Sequence, residues 1–167
     1  LTFDLLFLSF PFFPPVSIIF ITFIAILTMS TRFVRQFHYS RTLKLNSAYI
    51  IAAARTPIGN FQGSLKTLSG SDLGAIVASA VVERANIKKS DVTDSYFGQV
   101  LQAGVGQAPA RQVIKKAGFP DETEATAINK VCASGLKAVS LATQAIQVGD
   151  RDVVLAGGTE SMSNSPF

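Results

Sequence analysis

From residue 45 onward, short apolar runs bounded by turn residues alternate with longer stretches whose apolar residues recur every three to four positions. The short runs predict buried strands and the periodic stretches predict amphipathic helices. Residues 48–54 are the first apolar run and predict a strand, and residues 55–63 follow as a loop marked by Pro57, Gly59 and Gly63. Ser71 predicts a helix cap, and Leu73, Ile76, Val77, Ala80 and Val81 after it share one helical face, with Asn86 at the helix end. Residues 95–101 predict a second strand. A second helix opens after Gly104-Val105-Gly106-Gln107, with Pro109 suited to its first turn and Gly118 to its C-terminal cap. Residues 125–128 predict a third strand. The helix after it carries Ala138, Leu141, Ala142, Ala145 and Val148 on one side and Lys137, Ser140, Gln144 and Gln147 on the other, and Gly149-Asp150 ends it. Residues 153–156 predict a fourth strand. Strands alternating with helices imply an α/β domain whose strands pair in parallel through right-handed crossovers.

The first 45 residues have a different character. Residues 1–28 carry a single charge, Asp4, and residues 16–27 are almost purely apolar. That run is shorter than the roughly 20 residues a membrane span needs, and Pro11, Pro14 and Pro15 break its extension backwards. It also lacks the positive n-region of a signal peptide. We expect residues 1–28 to be translated sequence upstream of a start at Met29, with a membrane or secretory segment as the alternative. Residues 29–45 hold Arg32, Arg35, Arg41 and Lys44, several hydroxyl residues and no acid. That composition predicts a mitochondrial transit peptide, and hence the matrix, with the cytoplasm as the alternative. The remainder, 46–167, is the expected folded domain.

The basic leader accounts for the net charge of +4. From Leu45 onward eleven basic residues face ten acidic ones, so the domain lacks the clustered basic footprint of a nucleic-acid binder. No membrane partner is expected of it either. One cysteine gives no disulfide framework. One cysteine and one remote histidine, His38, give no zinc site. Gly104 and Gly106 lack the third glycine and the downstream acid of a dinucleotide loop. No tightly bound cofactor is therefore expected.

The candidate chemistry lies at Cys132, at the entrance of the predicted third helix. Helix-start N–H groups have no intrahelical partner and carry partial positive charge. They stabilise a thiolate and can donate to an oxyanion beside it. Taken alone, a single cysteine reads first as a small buried hydrophobe. Ser134 is not a candidate nucleophile, because no G-x-S-x-G elbow surrounds it. Lys130 and Lys137 flank the cysteine, but helical lysines are ordinarily solvated.

Five ordered motifs decide between these readings. They are Ala54-Arg55-Thr56-Pro57-Ile58-Gly59, Gly98-Gln99-Val100-Leu101, residues 106–112 (Gly-Gln-Ala-Pro-Ala-Arg-Gln), residues 129–138 around Cys132, and residues 156–164 (Ala-Gly-Gly-Thr-Glu-Ser-Met-Ser-Asn). Together they resemble the thiolases, and the Asn-Lys-Val-Cys-Ala-Ser-Gly form is most similar to the acetoacetyl-CoA thiolases of the mitochondrial kind. The resemblance implies a layered α/β/α fold with a mixed, mainly parallel sheet. These residues would form an incomplete N-terminal half of it. It implies acyl transfer between acetoacetyl-CoA plus coenzyme A and two acetyl-CoA, with coenzyme A as co-substrate. Cys132 would be the nucleophile, its backbone N–H an oxyanion donor, and Met162 a residue of the acyl pocket. It implies a homo-oligomer, dimer or tetramer, when full length. The family's histidine and second cysteine belong to a later part of its chain. The expectation is thus of a fragment inactive by itself. Alternatives are a 3-ketoacyl-CoA thiolase of broader chain length, or a non-catalytic fragment binding thiolase subunits.

Overall fold

The computed structural model describes residues 45–166. The expectations for 1–28 and for nearly all of 29–45 lie outside the described residues. Three strands form one sheet: β1 (Asp94–Gly98), β2 (Thr126–Ile128) and β3 (Val154–Gly158). Their order is β2-β1-β3, with both pairs parallel. Three helices connect or precede them: α1 (Gly70–Ala85), α2 (Pro109–Lys116) and α3 (Ser134–Gln147). The chain runs from β1 outward to β2 and then back past β1 to β3. With both crossovers right-handed, α2 and α3 fall on opposite faces of the sheet. Strand β1 is accordingly buried along nearly its whole length, and the layers are helix, sheet, helix.

Helix α1 packs on α2, and the core joins Ala75, Ala78 and Val82 to Val113, Ile114, Phe97 and Leu155. The cap of α1 differs from expectation. Ser69, not Ser71, is the N-cap, in a reciprocal box with Asp72. The Asp72 carboxylate accepts from the Ser69 N–H at 3.0 Å and from Lys116 Nζ at 2.6 Å. The Lys116 ammonium first, and then Ser69, hold its pKa down at about 2. Ser71 lies two residues further on, within the first turn, buried, with its hydroxyl 2.8 Å from Lys116 Nζ.

The buried face of α1 also differs. Gly70, Ser71, Gly74, Ala75, Ala78 and Val82 are buried, while Ile76 is exposed. The cause is how closely the two helices approach. A Cβ at Gly74 would lie 2.7 Å from Val113 Cγ2, so only small residues fit the contact, and the bulkier ones flank it. Other helix ends match the sequence. Pro109 begins α2, Gly118 follows it at φ +72, and Asn86 closes α1 in the left-handed conformation. On α3, Ala138, Ala142 and Ala145 are buried, but Val148 sits exposed at the C-cap.

The strand expected at 48–54 is not formed. Those residues join no ladder, with Tyr49, Ile50 and Ile51 exposed. They line a groove of about 360 Å³ beside β3, α1 and α3. An Arg84 hydrogen bond to the Ala53 carbonyl and the Asn46 N–H bond to the Gln147 carbonyl tether the segment. Apolar periodicity reports that a run seeks burial; it does not supply the neighbour whose ladder makes a strand. No helix among the described residues is long and apolar enough to cross a membrane.

Candidate active site

In an open parallel sheet, ligands bind outside the carboxyl ends of the strands. Here three loops leave that edge. Gln99–Leu101 follows β1, Asn129–Ala133 follows β2, and Thr159–Ser161 follows β3. Cys132 lies in the second of these, exposed, two residues ahead of α3. The strand–turn–helix context expected from sequence is present.

The turn is tight. Val131, directly before Cys132, has φ +50. A β-branched residue rarely adopts this region, and such strain costs about 1–3 kcal/mol and persists only where surroundings over-determine it. Two side chains do so. The Asn129 Oδ1 accepts from the Val131 N–H at 3.1 Å. The Ser134 hydroxyl accepts from the Lys130 N–H at 2.9 Å and donates to the Val131 carbonyl at 2.6 Å. Ser134 is buried and committed in both directions, which agrees with its exclusion as a nucleophile. The Ala133 and Ser134 N–H groups close short turns onto the Lys130 and Val131 carbonyls.

Beneath this turn three glycines bring backbone onto backbone. Gly98 and Gly158 are opposite each other in the β1–β3 register. A Cβ on Gly98 would lie 2.6 Å from both the Gly135 nitrogen and the Ser134 carbonyl carbon. A Cβ on Gly158 would lie 3.1 Å from the Gly98 oxygen and 3.5 Å from the Gly135 Cα. The start of α3, and with it Cys132, therefore rests directly on the strand ends.

The third loop is stitched inward. The Glu160 carboxylate accepts from the Val100 N–H at 2.9 Å and the Leu101 N–H at 3.1 Å, one oxygen to each. Thr159 N–H bonds the Gly98 carbonyl at 2.9 Å, and its hydroxyl donates to the Gly70 carbonyl. Asn164 and Ser161 donate to the Leu68 carbonyl. The sequence reading weighed Ser134 only as a nucleophile and held Asn129 and Glu160 only as members of motifs, so the supporting role of all three was missed. The available signal was polar residues directly after strand ends, and nothing in the spacing said that they would meet.

Met162 is exposed, in a short 3-10 turn (Met162–Asn164), and lines a cavity of about 410 Å³ with Ile58, Phe61 and Leu73. Cys132 is not among the residues lining that cavity, so the structure does not bring the two expected site residues together there. Tyr96 has its pKa raised, by burial first and then by Asp94. It belongs to a cluster with Asp94 and Arg151 near the opposite, N-terminal end of the strands. No group of His, Cys, Asp and Glu among the described residues is placed to hold a metal ion.

The family described as "Thiolase, N-terminal domain" matches residues 48–167. An acetyl-CoA acetyltransferase of Yarrowia lipolytica is 58% identical over 124 residues, covering 74% of this chain and 31% of that protein. A mitochondrial acetyl-CoA acetyltransferase of Danio rerio is 50% identical over 129 residues, covering 77% of this chain and 31% of that protein. A relative named as cytosolic, from Gibberella zeae, matches as well, at 54% identity over 122 residues. Among solved structures, the Acat5 thiolase of Ascaris suum in complex with coenzyme A superposes with a TM-score of 0.71 at 42% identity, over 73% of this chain and 32% of that one. The chain spans about a third of the length of the curated relatives it matches. An ordered set of motifs, a doubly wound parallel sheet and a family match across nearly all the described residues lead to one conclusion: the chain belongs to the thiolase family, with residues 48–167 matching its N-terminal domain.

Proposed function

We propose that this chain carries the acyl-accepting cysteine of a thiolase that interconverts acetoacetyl-CoA plus coenzyme A with two acetyl-CoA. The observation that carries the proposal is the exposed Cys132 on a strained turn between a strand end and a helix start. In the degradative direction the Cys132 thiolate attacks the keto carbon of acetoacetyl-CoA. The bond between that carbon and the neighbouring methylene breaks. The methylene takes a proton and leaves as acetyl-CoA, with an acetyl thioester left on Cys132. Coenzyme A, as thiolate, then takes the acetyl group and restores the Cys132 thiolate. A thiolate suits both halves, being nucleophilic and leaving a thioester that stays reactive. The Cys132 N–H, at the mouth of α3, helps hold the oxyanion formed at the acetyl thioester.

The one histidine, His38, lies in the basic leader, and none of the described residues supplies an imidazole base. The 167 residues by themselves are therefore expected to accept an acetyl group slowly and not to turn over. Location in the mitochondrial matrix and assembly as a homo-oligomer belong to the same proposal. The basic leader and the mitochondrial relatives support the first of these.

A single-turnover assay tests the central step. The chain is incubated with acetyl-CoA at mildly alkaline pH, where thiol–thioester exchange needs no separate base. It is then quenched in acid and mapped by peptide mass. The expected result is one acetyl group on the peptide bearing Cys132, absent from Cys132→Ser. Acetylation elsewhere, or none while Cys132 is freely alkylated by iodoacetamide, overturns the proposal.

A further inference from the structure

We propose that Glu160 is a positioning residue for Cys132, acting through Asn129. The inference rests on the reading of Cys132 as the acyl-accepting nucleophile.

The three strand ends are joined by one hydrogen-bonded chain. Glu160, just past β3, holds the Val100 and Leu101 N–H groups just past β1, at 2.9 and 3.1 Å. The peptide they fix presents the Val100 carbonyl, which accepts from Asn129 Nδ2 at 3.2 Å just past β2. The other end of the Asn129 amide accepts from the Val131 N–H at 3.1 Å. Val131 is the residue at φ +50, and Cys132 follows it. A side-chain amide that donates at one end and accepts at the other has its orientation set by both partners. Glu160 thus fixes the Val100 carbonyl, the carbonyl fixes Asn129, and Asn129 holds the left-handed turn that aims Cys132.

The chemistry of Glu160 fits this role. A carboxylate accepts on both oxygens, and hydrogen bonds to an ionised acceptor are about twice as strong as neutral ones. Both of its oxygens are engaged with backbone, so it is placed to fix geometry. A glutamine could accept on only one side and would turn an NH2 group toward the other N–H. The strained turn raises the demand on this chain of bonds, since a β-branched residue at positive φ relaxes once its restraints go.

The test is a double-mutant cycle in the full chain with Glu160→Gln, Asn129→Ala and the pair together. The rate of acetyl transfer from acetyl-CoA to Cys132 is compared with the rate of Cys132 alkylation by iodoacetamide. Alkylation needs only an accessible thiol; acetyl transfer also needs the aligned N–H. Each single variant is expected to slow acetyl transfer about tenfold relative to alkylation. The double variant should be no slower than the worse single one, because both cut the same chain of bonds. Additive losses, or acetyl transfer and alkylation falling in parallel, overturn the proposal. If the unsubstituted chain takes up no acetyl group, the nucleophile reading fails, and hydrogen exchange at the Val131 amide decides this one. Faster exchange in both single variants supports the positioning role; unchanged exchange in Glu160→Gln overturns it.

Discussion

Replacing Gly98 by alanine adds one methyl group where the start of α3 rests on β1. The added Cβ would stand 2.6 Å from two backbone atoms, the Gly135 nitrogen and the Ser134 carbonyl carbon, and 2.8 Å from the Ser134 Cβ. Ordinary contact begins near 3.4 Å. Since the obstruction is backbone, no rotamer relieves it, and the helix start must retreat by several tenths of an ångström. Overpacking of this kind costs about 1–3 kcal/mol. Against it stands the roughly 0.5–1 kcal/mol that alanine gains over glycine in a strand. The net destabilisation is about 1–2 kcal/mol, which lowers the melting temperature of a domain this size by about 3–10 °C.

The effect on chemistry should exceed the effect on stability. The same retreat carries the Asn129–Ser134 turn with it, and sub-ångström misplacement of a reacting group costs on the order of tenfold in rate. Gly157→Ala is the control. It makes the same substitution in the same sheet, but its Cβ would meet only Phe97 Cε1, at 3.7 Å. Thermal melts and single-turnover acetylation of Cys132 are measured on both variants. Gly98→Ala should melt lower and accept acetyl about tenfold more slowly, while Gly157→Ala should melt no lower than the parent, and by the same strand preference slightly higher, with its acetylation rate unchanged. A Gly98→Ala protein with unchanged melting and acetylation, or a Gly157→Ala protein equally impaired, would refute the claim that backbone contact at Gly98 seats the cysteine.

Two further outcomes follow from the turn and the cap. Ser134→Ala removes a buried hydroxyl that serves the Lys130 N–H and the Val131 carbonyl at once; a loss of about 1–3 kcal/mol in denaturant unfolding is expected, and a loss below about 0.5 kcal/mol would count against its role. Asp72 has a folded pKa of about 2 against an ordinary 3.8. A depressed carboxylate stabilises the fold above its unfolded pKa and loses that contribution as pH falls through the folded value. Melting should therefore drop between about pH 4 and pH 2 in the parent and drop less in Asp72→Asn. The carboxylate is 37% exposed, so screening keeps the difference modest. Identical pH profiles for the two proteins would sink this assignment.

The parts of the fold legible in sequence are those set by local chemistry. Pro109, Gly118 and Asn86 mark helix ends because their backbone preferences act within one or two residues. The strand–turn–helix around Cys132 was legible for the same reason, as an apolar run, a turn and an alanine-rich face in immediate succession. What depended on a distant neighbour was not legible. The α1 face was misjudged because bulk, not hydropathy, decides what fits against Val113. Residues 48–54 have strand character but lack a ladder partner among the described residues. Ser71 looked like the cap because it stood nearest the periodic run, yet Ser69 has Asp72 at the spacing a reciprocal box requires.

The candidate site divides along the same line, and the division has a physical cause. The reacting atom was visible because a nucleophile brings its turn and helix with it in the sequence. The residues that hold it in place act across gaps of 29 and 59 or more positions, Asn129 to Val100 and Glu160 to Val100 and Leu101. Their bonds end on main-chain groups, which every residue possesses, so no complementary side chain advertises the pairing. Only the parallel sheet, by delivering three strand ends to one edge, makes those separations short. A cysteine on a strained turn thus needs the sheet twice. Gly98 and Gly158 provide the floor on which α3 begins, and the ordered strand ends bring Glu160 and Asn129 within reach of the Val131–Cys132 turn. Removing the floor and removing the hydrogen bonds should therefore fail differently. The first displaces the cysteine and the helix together, whereas the second leaves the helix seated and frees the turn alone.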